Sequence, residues 1–124
     1  PRAGRLWTDE TRHPTVLVGL DVPKAELDCR IAERARAMVE RGAEEEARRA
    51  LAEPISETAR SIHGLREFSE QPPEQALEEL VHRTTRYAAY QRKWMRRIPG
   101  LVTVPADRPP GEVADAILEV ARAR

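Results

Sequence analysis

Thr15-Val16-Leu17-Val18-Gly19-Leu20-Asp21-Val22-Pro23 holds the change of hydrophobic period on which the fold reading turns. As far as Leu20 the run is apolar and β-branched. It is too short for a helix and is bounded by Pro14 and by Asp21-Val22-Pro23, so it reads as a buried strand over about residues 15–20. After Pro23 the apolar residues Leu27, Ile31, Ala35 and Met38 recur at helical spacing. Pro23 suits the first turn of a helix and Gly42 suits its end, which predicts a helix over about residues 23–41.

Working outward, Ala43 to Ala52 continues as a second helix, about 43–52. Its Glu44, Glu45 and Glu46 lie at the positive end of the helix dipole, its Arg48 and Arg49 lie at the other, and Pro54 stops it. Ser56 caps a short helix over about 56–62, and Gly64 separates it from another at about 65–70. Past the linker Gln71-Pro72-Pro73 comes the longest helix, about 73–98, with Leu77, Leu80, Val81, Thr84, Ala88, Gln91, Met95 and Ile98 on one stripe and Pro99-Gly100 at its end. Leu101 to Val104 is a second short strand, about 101–104. Pro105 to Gly111 reads as a loop, and a last amphipathic helix covers about 112–123 on Val113, Ala116, Ile117 and Val120. The fold class is therefore mostly α with two short strands. Such a pair is marginal as a sheet by itself, so the strands are expected to join others in a longer protein.

The 124 residues suffice for one compact domain, and the 34% of charged residues balance to a formal net charge of zero. No global field therefore draws nucleic acid or a membrane, and any such preference must be local. Cys29 is the only cysteine, which excludes an internal disulfide, leaves no metal-ligand spacing and suits a reducing cytoplasm. No apolar run approaches a membrane span and no signal segment opens the chain, so a soluble cytoplasmic protein without a membrane partner is expected. The chain begins Pro1-Arg2-Ala3 without an initiating methionine, as an excised piece of a longer protein would.

Local clustering does occur. Between His82 and Arg97 lie Arg83, Arg86, Arg92, Lys93, Arg96 and Arg97 with no acidic residue, together with Tyr87, Tyr90 and Trp94, three of the five aromatics in the chain. Arg83, Arg86, Tyr90, Lys93 and Arg97 fall at spacings of three and four, on one helical face. Cations neutralise phosphates and exposed aromatics stack on unpaired bases, so this helix is a candidate RNA surface. A solvated amphipathic helix with Trp94 in the core fits the same pattern. Gln91, on the apolar stripe, would need an internal hydrogen-bond partner. Arg30 and Arg34, four apart, either hold a diphosphate in bidentate fashion or pair with Glu26 and Glu33 on the surface. His63 precedes Gly64 with no Ser, Cys or carboxylate constellation around it. The chain has no Gly-rich phosphate loop, no paired-carboxylate site and no metal motif.

These same residues carry a family resemblance. Thr84-Thr85-Arg86-Tyr87-Ala88-Ala89-Tyr90-Gln91-Arg92-Lys93-Trp94-Met95-Arg96 resembles the Thr-Arg-Arg-Tyr-Ala-Lys-Arg-Gln-x-Thr-Trp-Phe-Arg segment of the tRNA dimethylallyltransferases, also called tRNA isopentenyltransferases. Ser61-Ile62-His63-Gly64-Leu65-Arg66-Glu67 is similar to that family's Gln-Ala-Ile-Gly-Tyr-Lys-Glu element. Arg30-Ile31-Ala32-Glu33-Arg34, followed by Met38, Gly42 and Glu46, resembles its Arg-Ile-x-x-Arg helix. The likeness runs in one register from residue 7 to about residue 120. The chain departs from the family at Ala89 and Tyr90, where Lys and Arg are usual, at Thr85 for Arg, at Leu65 for Tyr, and at His63 for an aliphatic residue.

The resemblance implies the C-terminal portion of a P-loop-like α/β enzyme, a cytoplasmic monomer when full-length. Residues 1–124 would form a single segment, strands 15–20 and 101–104 would join the core sheet of an N-terminal half, and 23–98 would be the helical tRNA-contacting region. The implied reaction transfers a dimethylallyl group from dimethylallyl diphosphate, with Mg2+, to N6 of an adenosine beside the tRNA anticodon. By the same resemblance Arg34, and more weakly Arg30, would lie at the diphosphate. Ser61, Ile62, His63, Gly64, Leu65, Arg66, Arg86, Tyr90, Gln91, Arg92, Lys93, Trp94, Met95 and Arg96 would contact the anticodon stem-loop. The diphosphate loop and general base would lie before Pro1, leaving this chain inactive alone. The reading from another class is a free-standing helical module that binds RNA or protein without catalysis.

Overall fold

The computed structural model describes residues 11–123, so the expectations about Pro1 to Arg2 and the start of the family likeness at Trp7 fall outside the described residues. The elements run β1 (Val18–Asp21), α1 (Lys24–Glu40), α2 (Ala43–Ala52), α3 (Glu57–Arg60), α4 (Leu65–Glu70), α5 (Pro73–Met95), β2 (Val102–Pro105) and α6 (Pro110–Arg122). The chain divides into two compact units. One is Leu27–Ala88, and the other is formed by the flanking stretches up to Glu26 and from Ala89 onward.

In the Leu27–Ala88 unit the core is Ala35 of α1, Ala47 of α2, Phe68 of α4, and Ala76 and Leu80 of α5, with Met38, Val39, Ala43, Leu65, Leu77 and Val81 packed around it. Small residues at three of those five positions let helices approach closely, and Phe68 supplies most of the apolar volume. Gly42, at φ 90°, separates α1 from α2, since the left-handed conformation there favours glycine. Ser56 caps α3 by accepting the Ala59 N–H at 3.2 Å. The helix predicted to reach residue 62 stops at Arg60, because Ser61 and Ile62 donate to Thr58 and Ala59 three residues back and close a turn instead.

In the flanking unit β1 and β2 pair in parallel, with Val18 opposite Val102 and Leu20 opposite Val104. Both strands sit one residue later than predicted at their ends. Thr15 to Leu17 lie outside the strand, although the Leu17 carbonyl still accepts the Val102 N–H at 3.0 Å. β1 is also less buried than its apolar sequence predicts: Gly19 is buried, but Leu20 is 53% exposed and Leu17 is exposed too. The long helix ends at Met95 rather than at residue 98. Arg97 and Ile98 donate to Trp94 and Met95 in tighter turns ahead of Pro99, and Gly100 then takes φ 68°. α6 starts at Pro110, earlier than predicted, because a proline at the first helical position preorganises the turn where a loop was read.

Candidate functional site

α1 runs past the turn between α3 and α4, and within the Leu27–Ala88 unit a cleft of about 330 Å3 opens there. Its apolar wall is Leu27, Ile31, Ala35, Met38 and Leu80, and its polar groups are Arg30, Arg34, His63 and Thr84. Three stretches far apart in sequence thus meet: the two arginines of α1, the histidine of the loop, and a threonine within the basic segment of α5. Arg30 and Arg34 are exposed at the rim. Arg34 makes no hydrogen bond or ion pair among the described residues, which leaves its guanidinium able to meet an anion. Of the alternative pairings of Arg30 and Arg34 with Glu26 and Glu33, Arg34 makes neither among the described residues, whereas Arg30 has an interaction within the protein.

The loop is held by its neighbours. Gly64 is buried at φ 96°, a left-handed conformation that calls for glycine, and a β-carbon there would lie in contact with Met38 Cε and Phe68 Cε2 at 3.4 Å. The Gly64 N–H donates to Glu67 Oε2 at 2.9 Å, and Arg83 Nη1 donates to Glu67 Oε1 at 2.6 Å while Arg83 Nη2 donates to the Ser61 carbonyl at 3.0 Å. Glu67 is only 2% exposed. Burial pushes its carboxyl up, but the Arg83 hydrogen bond, the N–H groups of Glu67 and Gly64, and the charge on Arg83 outweigh burial and hold it below the usual carboxylate range. His63, half-buried, meets Tyr87 edge to face with ring centroids 5.3 Å apart. Leu65 packs on the core, Ser61 Oγ donates to the Thr58 carbonyl at 2.7 Å, and Arg66 approaches Glu70 at 3.5 Å. Ile62 projects into solvent.

Along α5 and in the turn just past it, the predicted RNA-facing residues separate by environment. Arg86, Lys93 and Arg96 are exposed, Tyr90 is 61% exposed, and Trp94 is 38% exposed with its ring 6.4 Å from that of Tyr90. Gln91 is exposed rather than on a buried stripe, because the stripe fades past Thr84, so its amide needs no internal partner. Arg83 leaves the cationic face and turns inward to Glu67, and Arg92 reaches Asp21 Oδ1 at 3.4 Å. In the flanking unit Asp21, Arg92, Met95 and Arg96 line a separate hollow with Ile98, Leu101 and Thr103. Glu67 is the site residue that the pattern reading missed; a Glu three residues after the helix-leading Gly64 is the half capping box that signals it.

Among the described residues no group of His, Cys, Asp or Glu comes together that could hold a metal ion, and the cleft has no carboxylate. The cleft's donors fit an anion and do not fit Mg2+. No helix among the described residues is long and apolar enough to cross a membrane.

The model of the IPP transferase family matches residues 3–98. The chain belongs to the IPP transferase family. It is 36% identical to the tRNA dimethylallyltransferase of Thermobifida fusca (strain YX), over 88% of this chain and 36% of that protein. It is also 36% identical to the tRNA dimethylallyltransferase of Nocardioides sp. (strain ATCC BAA-499 / JS614), over 98% of this chain and 41% of that protein. Its fold is similar to the full-length tRNA isopentenylpyrophosphate transferase of Bacillus halodurans, with a TM-score of 0.74, 24% identity, and coverage of 86% of this chain and 38% of that one. The Staphylococcus epidermidis tRNA delta(2)-isopentenylpyrophosphate transferase gives a TM-score of 0.77 at 21% identity, covering 90% of this chain and 39% of that one. Thus the mostly helical arrangement with two parallel strands is that of part of an IPP transferase, and the chain spans 36–41% of the length of these curated relatives.

Proposed function

We propose that this segment supplies the tRNA surface and the diphosphate-side arginine of a tRNA dimethylallyltransferase, and that the part of the relatives' length it does not span completes the enzyme. The observation that carries the reading is the cleft that gathers Arg30, Arg34, His63 and Thr84, one or two residues from each stretch of the family resemblance. In this reading the apolar wall receives the dimethylallyl chain, and Arg34, with Arg30 beside it, faces the diphosphate. As the bond from the prenyl carbon to the diphosphate oxygen breaks and the adenosine amine attacks that carbon, giving its proton to a base in the part of the enzyme this chain does not span, negative charge grows on the leaving group, and a fixed guanidinium stabilises it most at that moment. Mg2+, if used, would neutralise the diphosphate from elsewhere in the enzyme. Arg86, Lys93 and Arg96 meet phosphates of the anticodon stem-loop, and Tyr90 and Trp94 offer faces for unpaired bases. The half-exposed strand pair, with Leu17 and Leu20 uncovered, favours β1 and β2 as members of a larger sheet.

The chain should bind an anticodon stem-loop carrying an adenosine beside the anticodon more tightly than a blunt RNA duplex of equal length, since only the stem-loop presents unstacked bases. Equal affinity for the two would favour the non-catalytic basic module.

A further inference from the structure

We infer that Arg83 and Glu67 are positioning residues for the Ser61–Gly64 turn: Arg83 serves the cleft by holding the loop that carries His63, and does not serve as one of the phosphate contacts of α5. The inference deepens the proposed function and rests on it for the role of the turn. By sequence Arg83 belongs with the cations of its helix. In the structure two of its three donor nitrogens are committed within the protein, Nη1 to Glu67 Oε1 at 2.6 Å and Nη2 to the Ser61 carbonyl at 3.0 Å.

Glu67 in turn accepts the Gly64 N–H through its other oxygen at 2.9 Å, so a single buried carboxylate joins the end of the turn to α5. The turn is therefore fixed at Ser61 and at Gly64, and His63 lies between the two fixed points. His63 lines the cleft, and its ring meets Tyr87 edge to face, one turn along α5 from Arg83. Side chains that place a contact group through a second layer of hydrogen bonds set its orientation without touching the ligand. A helical cation used this way contributes nothing to counterion release, and that property separates it from Arg86, Lys93 and Arg96.

The test uses the full 124-residue chain, a labelled anticodon stem-loop, and the variants Arg83→Met and Glu67→Gln, the second of which keeps every cation and nearly the same shape. In both variants Gly64 amide exchange should quicken at least about tenfold and the His63–Tyr87 ring contact seen by NMR should weaken. Stem-loop affinity should fall several-fold at an unchanged slope of log affinity against log salt. A slope reduced by about one unit in Arg83→Met, with Gly64 protection intact, would make Arg83 a phosphate contact and overturn the inference. Lost Gly64 protection with unaltered affinity would reduce the pair to a purely structural tie and overturn it equally. If Arg83→Met does not fold, Glu67→Gln decides the same question. Absence of stem-loop binding by the unaltered chain would sink the functional reading and the positioning role with it, whereas Gly64 protection would still report on the tie itself.

Discussion

Replacing Glu67 with Ala strands two partners at once. The Gly64 N–H, which is buried, loses its side-chain acceptor, and an unsatisfied buried donor costs ~1–3 kcal/mol. Arg83 keeps the Ser61 carbonyl but loses a charge-assisted bond worth ~1.5–3 kcal/mol. The lower end applies there, because the Arg83 side chain is 36% exposed and water compensates part of the loss. Together the change should cost about 3 kcal/mol, which in a unit this small lowers Tm by at least about 10 °C. Thermal and urea melts of Glu67→Ala beside the unaltered chain measure it.

The same group sets a pH dependence. The Glu67 carboxyl is held below its ordinary 4.5 in the folded state, so its stabilisation is fully present above that pH and is lost as pH falls through the lowered value. Glu67→Gln should therefore lose less stability than the unaltered chain on acidification below about pH 4.5. A cost under about 1 kcal/mol for Glu67→Ala, with an unchanged acid profile, would refute the account of the loop.

Four further outcomes follow from the geometry. Gly64→Ala should destabilise by about 1 kcal/mol, because φ 96° strains any residue with a β-carbon, and a melt checks it. Arg86→Ala, Lys93→Ala and Arg96→Ala should each lower the salt slope of stem-loop binding by roughly one unit with Tm nearly unchanged, whereas Arg92→Ala should also loosen the contact with Asp21 and cost some stability. Trp94→Ala should weaken stem-loop binding at a stability cost below the ~3–5 kcal/mol of a buried tryptophan, since the ring is 38% exposed. The chain alone, given dimethylallyl diphosphate, Mg2+ and an unmodified stem-loop, should form no prenylated product if, as proposed, the part of the relatives' length that it does not span completes the enzyme.

Much of this architecture was legible because its signals are local. The period change at Pro23, the glycines at 42 and 64 and the cap at Ser56 act within a few residues, and the elements they delimit are found where those residues put them. What failed needed tertiary information. The apolar run at Thr15 to Leu20 looks the same whether a sheet covers both faces or, as here, two strands leave Leu20 in solvent. Gln91 followed the helical stripe on paper, yet burial along α5 is decided by what packs on it, and that packing thins after Thr84. The cleft itself was only half visible. Arg30 and Arg34 sharing a face follows from spacing of four, but that His63 and Thr84 face them depends on how three helices pack, and the inward turn of Arg83 depends on a carboxylate sixteen residues away.

The most direct test of the central claim joins this chain to the N-terminal portion of the Thermobifida fusca relative and compares the joined enzyme with its Arg34→Ala variant. Dimethylallyl transfer to an anticodon stem-loop and affinity for that stem-loop are measured on both. The account predicts that the unaltered joined enzyme transfers the group and that Arg34→Ala lowers turnover by ~10²–10³ while stem-loop affinity changes little, as expected of a cation that acts on the leaving diphosphate in the transition state. Transfer by Arg34→Ala at the unaltered rate, or none by the unaltered joined enzyme although it binds the stem-loop, would contradict it.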